Sequence, residues 1–310
     1  MDEQGRILAQ ERLGPSPSEA LGFVRGFKDP VIAMEACYCW QPIWDILEFE
    51  GYELKLAHPT RTRLIAEARV KTDALDSERL AHLLRANLLP TAYVPPREIR
   101  ELRELVRLRV ALVRERAAHK ARLRAELAKR GIRFTSPFTK NARAFLLSLG
   151  VRRIEESLWM IEVLGRRIRS LDAELRRRTK GREEVRLLQT IPGIGEFSAV
   201  AILAEVGEIG RFPTPEHLCS YAGLVPSVHQ SGNSRYYGHI TKQGSSLLRW
   251  VMQECLWAHL REETYITRFY RRLEWRKGPK KAATAAARKL LAAVWEVLSR
   301  REPFNAKGGR

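Results

Sequence analysis

Three carboxylates have residue types and spacing suited to phosphate chemistry. Glu35 ends the short apolar run VIAME, Val31 to Glu35, which reads as a buried strand where an unpaired charge is costly. Asp73 and Asp76 lie in KTDALDSERLA near the start of a helical segment; a spacing of three puts them on one face, a turn apart. Brought together at a sheet edge, three such acids could hold Mg²⁺, which takes oxygen ligands. The metal could then activate an attacking oxygen and stabilise a leaving one on phosphate. A plainer reading also fits: Asp73 caps the helix, Asp76 is a first-turn acid favoured by the dipole, and Glu35 pairs with an arginine. Spacing by itself favours the plainer one.

Two further segments carry chemistry. PGIG, Pro192 to Gly195, lies between two helical stretches. Free N–H groups at a helix start bind phosphate without reading sequence, and Gly193 and Gly195 allow the backbone to come close. The alternative is an ordinary inter-helix turn. The segment SVHQSGNSRYYGHITKQGSSLLR, Ser227 to Arg249, mixes hydroxyls, glycines, aromatics and cations. Ser231 precedes Gly232, with Arg235, Lys242 and Arg249 downstream. A serine attacks a phosphodiester only when its proton is removed and the developing charge is stabilised; nearby cations meet the second need. A solvated loop serine is the more ordinary role.

The elements that must position these groups fall into two styles. Up to Pro95-Pro96, strands and helices alternate, implying an α/β layer with partly parallel pairing. The predicted strands are Arg6 to Leu13, Val31 to Glu35 and Glu53 to Ala57; the predicted helices are Pro15 to Phe27, Tyr38 to Phe49 and Thr72 to about Leu88. Beyond lies a chain of helices. Ile99 to Arg130 has a stripe at Ile99, Leu102, Leu105, Leu108, Leu112, Leu123 and Leu127. Arg153 to Arg178 has another at Ile161, Leu164, Ile168, Leu171 and Leu175, stepping as a coiled-coil seam does. The two pair as an antiparallel hairpin or with another subunit. Leu187 to Gly207 reads helix, tight turn, helix. Thr214 to Ala222, Ser245 to His259 and Lys280 to Ser299 read as helices, and Pro226 to Gly244 as irregular and polar.

The chain has 310 residues, is 45% hydrophobic and carries a net charge of +19. It is long enough for two domains and a linker, and wholesale disorder is excluded. The charge points to a polyanion, nucleic acid first. No apolar run approaches the roughly 20 residues that span a bilayer, and the first residues do not form a signal peptide. The four cysteines, Cys37, Cys39, Cys219 and Cys255, form no CxxC pair and read as reduced thiols of a cytoplasmic protein.

The order MEA, KTDALDSERLA, LLQTIPGIGEFSAVAILAEVG and LCSYAGLVPSVHQSGNSRYYGHITKQGSSLLR, running from Gly5 to AARKLL near Leu290, resembles the DEDD transposases of insertion-sequence family 110. The resemblance implies an α/β RNase H-like (RuvC-like) domain over 1–95, incomplete at its start. It implies a coiled-coil linker over 96–180 and an α-helical transposase domain with a helix-hairpin-helix over 181–275. A C-terminal helix and tail over 276–310 complete the expected organisation. Glu35, Asp73 and Asp76 match the second, third and fourth DEDD acids, the metal ligands for Mg²⁺. Ser231 matches the serine that becomes joined to DNA, and Ser245 and Ser246 rank below it as nucleophiles. Asp2 matches a turn acid, so the first catalytic acid and the first two strands are expected to be missing. The implied partners are element-end and target DNA, a structured guide RNA and further copies of the chain, as a dimer or tetramer. The alternatives in other classes are an inactive nucleic-acid-binding remnant and a RuvC-like metal-dependent junction nuclease.

Overall fold

In a right-twisted parallel pair the connecting segment must cross over, and a helix is the usual crossover. That unit is present near the start of the chain. In a computed structural model describing residues 1–65, 73–133, 138–231 and 234–307, α1 (Pro17–Val24) precedes β1 (Val31–Glu35), α2 (Trp40–Phe49) and β2 (Glu53–Ala57). β1 and β2 pair in parallel, with Val31 opposite Glu53 and Glu35 opposite Ala57. α3 (Pro59–Ile65) and α4 (Asp73–Arg85) follow. On its far side β2 meets residues 90–92: Ala92 N donates to Leu56 O, and Ala57 bridges Thr91. Leu21, Trp44, Leu47, Leu56 and Ala57 form the small buried centre.

Two expectations fail in this unit. Arg6 to Leu13 forms no strand, because no neighbouring backbone among the described residues offers it a ladder. Its start is a turn instead: Gly5 N donates to Asp2 O, and the Asp2 carboxylate accepts from Arg6 N and Nε, both at 2.8 Å. β1 is not buried either. Val31 is 44% exposed and Glu35 is also exposed. Among the described residues β1 pairs only with β2, so its other edge is unpaired and Glu35 stands in solvent at its end.

The chain divides into two units, Met1–Val94 and Pro95–Arg310. Among its described residues the second is helical apart from one hairpin. α5 (Arg97–Lys129) extends about 50 Å at the usual rise per residue. α6 (Lys140–Ser148) leads into α7 (Arg152–Arg178), which runs back along α5. Arg178 binds Glu101 at 3.0 Å, and Arg109 binds Asp172 at 3.0 Å, a register that only antiparallel helices allow. Leu123, Leu127, Leu146, Ile154 and Leu158 close the far end of this pair. The inward stripe of α5 uses Val106 and Val110, while Leu108, expected inside, is 49% exposed.

α8 (Glu183–Gln189), α9 (Glu196–Val206), a 3-10 turn at Ile209–Arg211 and α10 (Pro215–Tyr221) follow. Residues 226–244 are not irregular: β3 (Pro226–Ser231) and β4 (Ser234–Ile240) form an antiparallel hairpin. α11 (Ser246–His259), α12 (Tyr265–Lys277) and α13 (Pro279–Arg300) complete the chain. The sequence reading set 276–310 apart as a terminal helix and tail. In the structure Ala282, Ala286, Ala287, Leu290, Leu291 and Val294 of α13 are fully buried, in one cluster with α9, α10 and α11. Alanines there let neighbouring helices come close. Among the described residues no helix is long and apolar enough to cross a membrane.

All four cysteines are free: Cys37 and Cys39 are exposed, Cys219 and Cys255 buried. Burial pushes the Cys219 thiol up to about 11, so it behaves as a small apolar side chain.

Candidate functional site

The candidate acids lie on β1 and α4. Glu35 stands at the C-terminal end of β1, open to solvent. Asp73 is the first residue of α4, and Asp76 follows one turn on, bound to Arg79 Nη1 at 3.1 Å. The side chains of Asp73, Ser231 and Arg235 lie outside the described set. The donor chemistry, carboxylate oxygen throughout, suits Mg²⁺. Any metal at Asp76 competes with the Arg79 guanidinium. Among the described residues no three His, Cys, Asp or Glu side chains converge to hold an ion.

The PGIG turn has two unlike glycines. Gly193 has φ +85°, and a Cβ there would sit 2.5 Å from Cys255 O and from His259 N. It is the point where the turn lies directly on α11. Gly195, at φ −81°, caps α9 and has open space where a Cβ would go. Of the two, only Gly195 has room for a side chain. His259 braces the turn from behind: Nδ1 donates to Pro192 O at 2.7 Å, and Nε2 accepts from Thr264 Oγ1 at 2.7 Å. Burial holds the imidazole's pKa below its usual value.

Ser231 is the last residue of β3, with its backbone opposite Ser234 at the end of the hairpin. The base of the hairpin is clamped by close backbone packing. A Cβ on Gly223 (φ +66°) would meet Gln243 O at 2.3 Å, and one on Gly244 (φ +81°) would meet Tyr221 O at 1.9 Å. Lys242 sits there in the left-handed region at φ +54°, exposed, its N–H donating to Gly223 O. Arg249 Nη1 donates to Ala222 O at 2.7 Å.

Sequence reasoning missed the group that organises this base. Glu205 on α9 is fully buried, and its carboxylate is held by Arg107 of α5, Nε to Oε1 at 2.9 Å and Nη2 to Oε2 at 3.2 Å. Ser245 Oγ donates to the same Oε2 at 2.8 Å, and Tyr221 Oη donates to Glu205 O at 3.2 Å. Arg103 Nε donates to Ala204 O. The signal was a lone carboxylate in the apolar run AVAILAEVG. Ser245 also caps α11 by accepting from Leu248 N, which leaves its hydroxyl fully engaged. Beside these groups Arg107, Arg114, Tyr221 and Leu247 line a cleft of about 510 Å³.

A basic chain with an α/β unit carrying acids, followed by helices that present a capped turn and a clamped hairpin, is equipped to handle DNA strands. Comparison with known proteins agrees. Residues 1–130 match the sequence model of the IS110-type DEDD transposase domain, and residues 185–271 match that of the transposase IS116/IS110/IS902 family. The transposase for insertion sequence element IS1111A of Coxiella burnetii is 25% identical over 98% of this chain and 86% of its own length. The transposase for insertion sequence element IS1328 of Yersinia enterocolitica is 25% identical over 98% of this chain and 93% of its own. The pilin gene-inverting protein of Moraxella bovis is 33% identical over 39% of this chain and 38% of its own. The protein is a DNA transposase. The chain belongs to the IS116/IS110/IS902 family of insertion-sequence transposases.

Proposed function

We propose that this transposase cuts and rejoins DNA through a phosphoserine bond at Ser231. The observation that carries the reading is the hairpin: Ser231 ends β3 while Gly223, Gly244 and Glu205 clamp the base. A nucleophile on a short, firmly rooted ribbon is presented without a large entropic cost at each turnover. In the step itself the Ser231 Oγ–P bond forms as one P–O bond of the strand breaks, and the departing strand oxygen takes a proton. A strand hydroxyl later attacks the phosphoserine, reforms a P–O bond and returns the serine. The exchange conserves bond types and needs no external energy source. Arg235, whose backbone pairs with Gln230 next to Ser231, is the candidate cation for the charge on phosphorus oxygens, while Lys242 stands at the base of the hairpin, where it would meet a more distant phosphate.

Glu35, Asp73 and Asp76 belong to the same reading as the ligands of Mg²⁺ in a RuvC-like domain. When bound, the metal would supply Lewis-acid stabilisation of phosphate oxygens. Support comes from the donor chemistry and the match of residues 1–130 to the DEDD domain. The α8-turn-α9 unit acts as a helix-hairpin-helix, offering Gly195 and its neighbours to phosphate. The paired helices α5 and α7 act as a coiled-coil arm. Arg122, Lys129, Arg152 and Arg153 line a cleft of about 480 Å³ there, chemistry suited to the phosphates of a guide RNA. A homo-oligomer in the cytoplasm completes the proposal.

The test combines purified protein with element-end DNA and RNA transcribed from the element end. A covalent protein–DNA adduct that vanishes in Ser231→Ala and persists in Ser246→Ala is expected. Nicked ends without adduct would shift the reading to a metal-dependent nuclease. Binding without either would shift it to an inactive remnant.

A further inference from the structure

α12 presents an outward face that neither the acids, the turn nor the hairpin uses. Its inner side is Ile266, Thr267 and Tyr270, all buried. Its outer side is Arg268, Arg271, Arg272, Trp275 and Arg276, all exposed. Steps of three and four place Trp275 in the middle of this stripe, between Arg271 on one side and Arg272 and Arg276 on the other. The indole is 90% exposed, whereas Tyr270 on the opposite side of the same helix is 7% exposed. Glu263 engages Arg271 at 2.6 Å and Arg268 at 4.0 Å, so Arg272 and Arg276 are the cations flanking Trp275 outside that ion-pair group. Lys280 and Lys281, both exposed, continue the positive charge into α13.

We propose that this face binds an unpaired stretch of DNA, with a base stacked on Trp275 and phosphates held by the flanking arginines. An open aromatic face set among cations is how sequence-tolerant single-strand binding is built: bases stack and the backbone is neutralised. Duplex DNA has its base faces already stacked, so it would use the arginines and leave the indole idle. The proposed cutting and rejoining, on which this inference rests, supplies the ligand, because exchanging strands requires that strands leave their duplex partners. The proposal does not depend on Ser231 as nucleophile.

The experiment measures binding of the full chain to labelled oligo-dT, oligo-U and a mixed-sequence duplex by fluorescence anisotropy over a range of salt. Trp275→Ala should weaken oligo-dT binding by about five- to a hundredfold, the effect of losing one base stack. Trp275→Phe should retain most of it, and duplex binding should be unchanged. Arg272→Ala and Arg276→Ala read the face independently of the tryptophan, each flattening the salt dependence of oligo-dT binding by about 0.7 log unit per log unit of salt. Unchanged oligo-dT binding in Trp275→Ala overturns the proposal. So does an equal loss on duplex, a preference for oligo-U over oligo-dT, or a change confined to self-association.

Discussion

Ser245 Oγ donates to Oε2 of the buried Glu205 at 2.8 Å while accepting from the backbone N–H of Leu248, so one hydroxyl joins α9 to the first turn of α11. The carboxylate is 1% exposed and its cation, Arg107, 58% exposed. Removing one partner of such a pair strands the other, and the side that is stranded decides the cost. Glu205→Ala should lower unfolding free energy by about 2–4 kcal/mol, reduced from a fully buried pair because Arg107 can turn to water. Arg107→Met leaves the carboxylate buried without its cation, so Arg107→Met with Glu205→Leu should cost less than the two singles added. Urea titrations of the parent chain, Glu205→Ala, Arg107→Met, Glu205→Leu and the double variant measure this, and strict additivity of Arg107→Met and Glu205→Leu would remove the coupling.

Gly193 and Gly195 should separate stability from binding. A Cβ at Gly193 meets backbone atoms of α11 at 2.5 Å and φ is +85°, so neither side chain nor backbone can yield cheaply. Gly193→Ala should destabilise by at least about 2 kcal/mol. Gly195 has free space and negative φ, so Gly195→Ala should cost about 1 kcal/mol or less, the usual difference at a helix cap. Its added methyl group should weaken duplex binding if phosphate approaches this cap. Thermal midpoints and anisotropy on both variants decide it.

Most helices were legible because a buried stripe repeats along them. α5 and α7 begin and end within a residue or two of the periodic pattern, and PGIG marks the turn before α9. The hairpin was not legible, since PSVHQS and SRYYGHI show no apolar face: among the described residues β3 and β4 pair only with each other, and Val228 is 46% exposed. Arg6 to Leu13 misled in the opposite direction, with alternation but no partner strand among the described residues. Glu205 was passed over because chain order does not reveal that Arg107, distant in sequence, closes on it. The candidate acids and Ser231 stand out by an apolar run ending in a charge, by helical spacing and by downstream cations, but only motif order raises them above the plainer readings.

Metal removal should separate chemistry from binding. Chelation, Glu35→Gln or Asp76→Asn should reduce strand joining about a thousandfold, as loss of several kcal/mol of charge stabilisation implies. DNA binding, carried by cations elsewhere, should persist. Asp76→Asn also weakens the contact with Arg79, so its thermal midpoint is needed as a control. Joining that survives both substitutions in the presence of chelator would sink the assignment of these acids to a metal.

His259 makes the turn sensitive to acid. A carbonyl can only accept, so contact with Pro192 O puts the proton on Nδ1 and leaves Nε2 as acceptor from Thr264. A second proton on Nε2 would oppose that hydroxyl and charge a buried ring. Burial lowers the folded pKa below the usual 6.5, outweighing the opposing effects of Pro192 O and Glu262. The unfolded chain therefore takes up this proton first as pH falls. The stability contributed by neutral His259 is present above pH 6.5 and is lost as pH drops from there through the folded value, at up to about 1.4 kcal/mol per pH unit. His259→Gln should be less stable at neutral pH, yet lose less between neutral and mildly acidic solution than the parent chain. Parallel unfolding curves for the two across that interval would show that the imidazole does not set the acid limit of the turn.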